Sequence, residues 1–169
     1  MSIHGKVSAP GFEAEPASMI TSYVEALALI ERLHRLLLDV IKDEFERLGR
    51  LDINSVQALL LYNIGENEVT AGELKTRGYY QGSNVSYNLK KLVEGGYMHH
   101  QRCEIDRRAV RIKLTDEGRK VRDIVAALFD RHSGMLANRK DFGGGAMKEM
   151  IHNLRSMERF WSEQIRYIY

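Results

Sequence analysis

Between Ser83 and Lys91 the chain carries Ser83, Asn84, Tyr87, Lys90 and Lys91 at spacings of one, three and four residues. On a helix these side chains fall on the side away from Val85, Leu89, Leu92 and Val93. Hydroxyl, amide, phenol and ammonium groups on one flat face can hydrogen-bond base edges in a major groove and the phosphates beside it. Asn84, near the N-terminal end, is placed for bases, and Lys90 and Lys91 for phosphates. Further along, Arg107 and Arg108 follow Asp106 in a charged turn. Guanidinium groups there can enter a narrow minor groove, where negative potential concentrates, or one of them can pair with Asp106 and shape the turn.

The same residue types also make up ordinary solvated helix faces, so the elements around them must decide. Gly82 and Ser83 open a helix that the Gly95-Gly96 pair stops. A shorter helix precedes it, opened by Thr70 with Glu73 three residues on, a capping-box spacing, and ended by Gly78. After Gly96 the apolar period changes from helical to alternating. Val110, Ile112 and Leu114 alternate with Arg111 and Lys113, and an earlier strand from Tyr97 to Cys103 pairs with them across the Glu104 to Arg108 turn. Two short helices joined by a tight turn and followed by a two-stranded ribbon form a winged helix-turn-helix. Helix pair, glycine stops and basic hairpin agree, which favours a double-stranded DNA contact over a merely solvated face.

Charge is distributed accordingly. Residues 1–69 hold 6 Lys/Arg against 11 Asp/Glu, residues 70–122 hold 12 against 6, and residues 123–169 hold 7 against 6, although the whole chain is only +2. A basic segment between less basic ones is the electrostatic footprint expected of phosphate neutralisation, and on charge alone it fits a solvated charged face equally well.

Around this module lie long helices. Ile20, Val24, Leu27, Ile30, Leu33, Leu37, Ile41, Phe45 and Leu48 repeat at three and four; a helix over that span is roughly 43 Å long, more than a small domain can cover. Another subunit is the economical cover. Gly49 ends this helix, and Asp52 or Asn54 caps the next, which carries Val56, Leu59, Leu60 and Ile64 and closes at Gly65. Thr115-Asp116-Glu117-Gly118 opens a fifth helix with Val121, Ile124, Val125, Leu128, Phe129 and Met135. Gly143-Gly144-Gly145 breaks it, and a last helix presents Met147, Met150, Ile151, Leu154, Met157, Trp161 and Ile165, a stripe that suits a dimer core better than a ligand site. The expected fold is mostly α with a small β-hairpin wing: a tail over 1–17, a dimerising helix over 18–50, the winged helix-turn-helix over 51–115 and dimerising helices over 116–169.

Other chemistries find little support. No phosphate-cradling loop, nucleophile elbow or paired zinc-histidine spacing occurs, so no enzyme is expected. Cys103 is the only cysteine; it excludes an internal disulfide, and with only Arg102 nearby to lower its pKa it reads as an inert thiol rather than a redox sensor. His99 and His100 point to opposite faces of a strand, and His34, His132 and His152 lie on separate helices, so neither metal nor cofactor is expected. No apolar run of membrane-spanning length and no signal-peptide pattern occurs, which predicts a soluble, cytoplasmic protein. A scaffold or sensor that keeps the fold but acts through protein contacts is the alternative of a different class.

Asp106-Arg107-Arg108, then Val110, Ile112 and Leu114-Thr115-Asp116-Glu117-Gly118, resembles the D-x-R wing signature and the L-T-x-x-G helix start of MarR-type transcription regulators. The long helices flanking the winged module extend the resemblance over most of the chain. It implies a homodimer through the terminal helices and binding to pseudo-palindromic promoter sites. It also implies a repressor or dual regulator whose binding changes with a small, often aromatic, ligand. The family's ligand cavity lies between the first, second and fifth helices, where His34 and Tyr62 are candidate polar contributors. Ile30 to Asn88, especially Asp52-Ile53-Asn54-Ser55-Val56-Gln57-Ala58, is similar to the LdtR-like branch linked to cell-wall remodelling. The turn Gly78-Tyr79-Tyr80-Gln81-Gly82 departs from the family, with two tyrosines where small polar residues are commoner. One of them packs beneath the recognition helix or stacks near the DNA backbone.

Overall fold

A computed structural model describes residues 16–66, 69–70, 73, 83–102, 110–143 and 145–168. Among them lie five helices and three strands: α1 (Pro16–Arg47), α2 (Ser55–Ile64), β1 (Val69–Thr70), α3 (Ser83–Glu94), β2 (Met98–Arg102), β3 (Val110–Leu114), α4 (Asp116–Ala137) and α5 (Ala146–Ile168), with a 3-10 turn at Lys140–Phe142. No helix of the described residues is long and apolar enough to cross a membrane.

The ends of these helices follow from their residues. Gly49 takes φ 69°, a conformation that costs a glycine little. That lets its N–H donate to Glu46 O (3.0 Å) and the Arg50 N–H to Phe45 O (2.8 Å), satisfying the last carbonyls of α1. Of the two candidate caps for α2, Asn54 does the work: its Oδ1 accepts from Gln57 N (2.9 Å) while Gln57 Oε1 accepts from Asn54 N (3.2 Å). The Thr70/Glu73 box is present as well, Thr70 N donating to Glu73 Oε2 (2.6 Å) and Glu73 N to Thr70 Oγ1 (3.1 Å). The rest of the short helix expected there lies outside the described residues. Thr115 caps α4 through Gly118 N (3.1 Å), with Asp116 and Glu117 in the first turn, at the positive end of the helix dipole.

α2 is the central element. Ala58, Leu59, Leu60, Leu61 and Ile64 are all buried, so this helix is apolar nearly all round and is enclosed between α1 and α4. Ile41 and Phe45 of α1, Val121, Val125 and Leu128 of α4, Leu92 of α3 and the inward residues Met98, Ile112 and Leu114 of the sheet complete one core.

The sheet is larger than a hairpin. Sequence periodicity indicates two strands, but β1 adds a third in the order β1-β3-β2, all antiparallel, pairing Val69 with Ile112 and Thr70 with Arg111. Two residues are too few to display an alternating pattern, so β1 is set by pairing alone. β2 and β3 pair Met98 with Leu114, His99 with Lys113, His100 with Ile112 and Gln101 with Arg111. Tyr97, expected in the strand, instead forms the bend before it, with Tyr97 N on Leu92 O (2.9 Å). α4 also ends earlier than the Gly143-Gly145 break implies, because the 3-10 turn intervenes.

Much of the terminal helices stays open in the protomer. On α1 the stripe is buried at Ile41 and Phe45 but exposed at Met19, Ile20, Val24 and Leu33; on α5 Leu154, Phe160 and Ile165 are exposed. The two helices touch where Trp161 Nε1 donates to Tyr23 Oη (3.1 Å). α1 is tied to α4 by a carboxylate with only 8% of its side chain exposed: Glu44 accepts from Arg47 (2.8 and 3.0 Å) and from Arg131 (2.8 Å). The Arg47 hydrogen bonds, opposed by burial and helped by Arg131, hold its carboxyl at about 2 instead of 4.5.

Two consequences can be measured. Because Glu44 is more acidic folded than unfolded, its stabilisation is complete above pH 4.5 and lost as pH falls toward about 2. Glu44→Gln should therefore flatten that limb of an acid-unfolding curve while lowering stability at pH 7. At Gly118 a Cβ would lie 2.1 Å from Tyr97 O. Gly118→Ala should cost about 3 kcal/mol or more in urea unfolding. At Gly134 a Cβ meets nothing within 4 Å, and Gly134→Ala should gain up to about 1 kcal/mol.

Candidate DNA interface

α3 is held by one side. Leu92 is fully buried and Leu89 and Val93 pack against the core, while Tyr87 is 60% exposed and Lys90 and Lys91 face solvent. Ser83 and Asn84 form the first turn of the helix; of these two the structure describes the backbone. Lys91 Nζ lies 6.0 Å from the centre of the Tyr87 ring, and Lys91 and Lys90 share Glu94 at 3.3 and 3.8 Å. Such exposed pairs contribute little to stability, so either ammonium can exchange Glu94 for a phosphate at small cost. The shared carboxylate also offsets part of the repulsion between the two cations.

Beside α3 stands the sheet. Its outer face presents His99, Gln101, Arg111 and Lys113 around a shallow cleft of about 320 Å³. Its inner face meets α3 across a groove of about 310 Å³, floored by Leu89, Val93 and Ile112 and edged by Ser86, Lys90, Glu94 and His100. Strand alternation thus parts His99 from His100, as their adjacency requires. Among the described residues no three His, Cys, Asp or Glu side chains cluster in a way that could hold a metal ion. Arg107, Arg108, Cys103, Tyr79 and Tyr80 lie outside the described residues.

The two candidate ligand contributors are not alike. His34 is exposed on α1, whereas Tyr62 is half-buried on α2 with its ring edge-on to Phe129 of α4 (centroids 4.9 Å apart, planes at 83°). Tyr62 is therefore spent at least partly on packing α2 against α4.

Sequence reasoning overlooked the root of the wing. Arg50, just after α1, holds Asp52 with two hydrogen bonds (3.0 and 3.1 Å) and reaches Glu117 at the start of α4 (3.1 Å). Asp52, once a candidate cap, also accepts the Tyr97 hydroxyl. The Arg50 and Tyr97 hydrogen bonds hold the Asp52 carboxyl well below the usual range, and burial, with the Asp52 contact, pushes the Tyr97 phenol up. A tyrosine next to a glycine helix stop carries no local mark of such a role; only the 45-residue separation closed by folding reveals it.

Known proteins share this architecture. The MarR protein of Peptoclostridium difficile superposes with a TM-score of 0.71 over 98% of this chain and 100% of its own, at 15% identity. Streptococcus pneumoniae FabT, solved in complex with DNA, gives 0.67 over 84% of this chain and 99% of its own, at 18% identity. Residues 53–118 match the winged helix DNA-binding domain family. In sequence, the exopolysaccharide II synthesis transcriptional activator ExpG of Rhizobium meliloti is 33% identical over 150 residues, 88% of this chain and 76% of that protein. The chain belongs to the MarR-type winged helix-turn-helix transcription regulators. In MarR-type terms, α3 is the recognition helix, β2 and β3 are the wing, and α1, α4 and α5 are the flanking helices. The narrower likeness to the LdtR-like branch rests on the sequence from Ile30 to Asn88 alone, above all Asp52 to Ala58.

Proposed function

We propose that this protein is a transcription regulator that binds pseudo-palindromic promoter DNA as a homodimer. The observation that carries the reading is α3, anchored by Leu92 with Tyr87, Lys90 and Lys91 turned to solvent beside a sheet whose outer face bears Arg111 and Lys113. Ser83, Asn84 and Tyr87 read base edges in the major groove, Lys90 and Lys91 hold phosphates, and Arg107 and Arg108 reach the neighbouring minor groove. Family membership and the DNA-bound FabT relative support this assignment.

The exposed apolar residues of α1 and α5 support a homodimer. Covering one Leu, Ile or Phe is worth about 1.5–3 kcal/mol, so a second copy laid along both helices has a substantial driving force. The two recognition helices then lie one helical turn apart, roughly 34 Å, to meet successive half-sites. A small aromatic effector fits the family pattern, with His34 and Tyr62 as the residues to test, and the cytoplasm is the compartment in which such a regulator meets DNA. Whether it represses or activates is set by where its site lies relative to a promoter.

Electrophoretic and fluorescence titrations on the protein's own upstream DNA test the reading. Affinity should fall steeply with salt, and Lys91→Ala, which removes one phosphate contact per subunit, should reduce the slope of log K against log[salt] by about 1.8. Asn84→Ala should instead cost about 1–3 kcal/mol per half-site on the specific sequence and leave non-specific binding intact. Salt-independent or absent binding would sink the proposal. For the dimer, Leu154→Glu combined with Phe160→Glu should give a monomer in sedimentation and abolish cooperative operator binding. A persistent dimer would move the interface elsewhere.

A further inference from the structure

The side chains at the root of the wing join every segment that connects the winged module to the terminal helices. Arg50 follows α1 by three residues, its backbone N–H pinned to Phe45 O. Asp52 precedes the Asn54 cap of α2. Tyr97 is the bend between α3 and β2, and Glu117 lies in the first turn of α4. One guanidinium bridges Asp52 and Glu117, and Asp52 is shared with the phenol of Tyr97. The Tyr97 ring is only 7% exposed, so its hydroxyl must find a partner inside the fold. Its backbone is equally committed: Tyr97 O accepts from Thr115 N (3.1 Å) and abuts Gly118, and the Thr115 hydroxyl donates to Gly96 O (2.7 Å).

The four members thus come from three places in the chain: Arg50 and Asp52 from the α1–α2 connection, Tyr97 from the bend between α3 and β2, and Glu117 from the start of α4. Within one protomer the cluster lies where α1 ends and α4 begins, the two places at which the winged module could pivot. Planar Arg50–carboxylate pairing specifies angle as well as distance, which a point charge would not.

Resting on the DNA-binding reading above, we propose that Arg50, Asp52, Tyr97 and Glu117 are positioning residues that fix the angle of the winged module against the dimerising helices, and so set the half-site spacing the dimer accepts. Asp52→Asn and Tyr97→Phe keep shape: the first removes the charge and one of the two acceptors that Arg50 holds, the second removes the phenol's hydrogen bond to Asp52. Glu117→Gln, at a partly exposed site, weakens the Arg50 bridge with little risk to folding.

The decisive experiment measures spacing selectivity of the full-length protein. DNA enriched by the wild type from a random library is rebuilt with one, two and three base pairs inserted between half-sites, and affinities are compared. The wild type should prefer its own spacing over a two-base-pair insertion by about 10-fold or more, and each variant should narrow that ratio to about 3-fold or less. The double variant Asp52→Asn with Tyr97→Phe should do less than the sum of the two, because the Asp52–Tyr97 contact is common to both. A second readout needs no DNA. In a Cys103→Ser background with a spin label at Ser86→Cys, the distance distribution between the two copies should broaden in all three variants. Variants that lose thermal stability yet keep both the spacing ratio and the narrow distance distribution overturn the proposal. If Asp52→Asn or Tyr97→Phe does not fold, Glu117→Gln decides by the same two measurements. A wild type that binds no DNA overturns the functional reading, while the spin-label distances still judge the positioning role of these four residues.

Discussion

The structure turns on the close passage of Gly118 over the Tyr97 carbonyl. There the chain leaving β3 enters α4 while the chain leaving α3 enters β2, and the two backbones meet with no room for a side chain between them. Thr115 makes the crossing permanent by hydrogen-bonding with its own amide and hydroxyl to Tyr97 O and Gly96 O while its Oγ1 caps α4. The crossing therefore restrains the sheet on the helix that follows it. Because the Tyr97 phenol reaches Asp52, the same crossing is also bound to the α1–α2 connection.

This rigid root explains how a small sheet can be oriented with so few residues. β1 contributes two residues and β2 and β3 five each, too little for an independently stable sheet. Its inner face is completed by α2, α3 and α4, and α2 in turn is enclosed by α1 and α4. The core of the protomer is consequently finished around α2 while the outer faces of α1 and α5 are not. A chain of this length could fold those helices back on themselves, but a helix of 32 residues, roughly 48 Å, outreaches the domain that covers it.

Charge is used differently in the two regions. Around α2 and the wing root the carboxylates are paired with arginine in fixed geometry: Glu44 with Arg47 and Arg131, and Asp52 and Glu117 with Arg50. On α3 the lysines share one exposed Glu94 through flexible stems. Forked guanidinium pairs hold elements at set angles, whereas loosely paired ammonium groups stay available to an incoming polyanion.

Local chemistry alone determined a good part of this protein. Caps and stops were legible because they act within four residues: Asn54 with Gln57, Thr70 with Glu73, Thr115 with Gly118, and Gly49. The alternation of Ile112 and Leu114 with Arg111 and Lys113 was enough to assign both faces of β3 there, and the helical period was enough to separate anchor from exposed face over residues 86–94. The excess length of the α1 stripe announced apolar residues that the chain itself leaves exposed. What only the tertiary structure decided were the pairings between distant segments. β1 exists because β3 offers it an edge, Asp52 serves Arg50 and Tyr97 rather than α2, and Glu44 is a buried clamp rather than one more acid on α1. Contacts that close 45, 67 or 87 residues of chain leave no periodicity or spacing behind; they are chosen by which surfaces the completed core brings together.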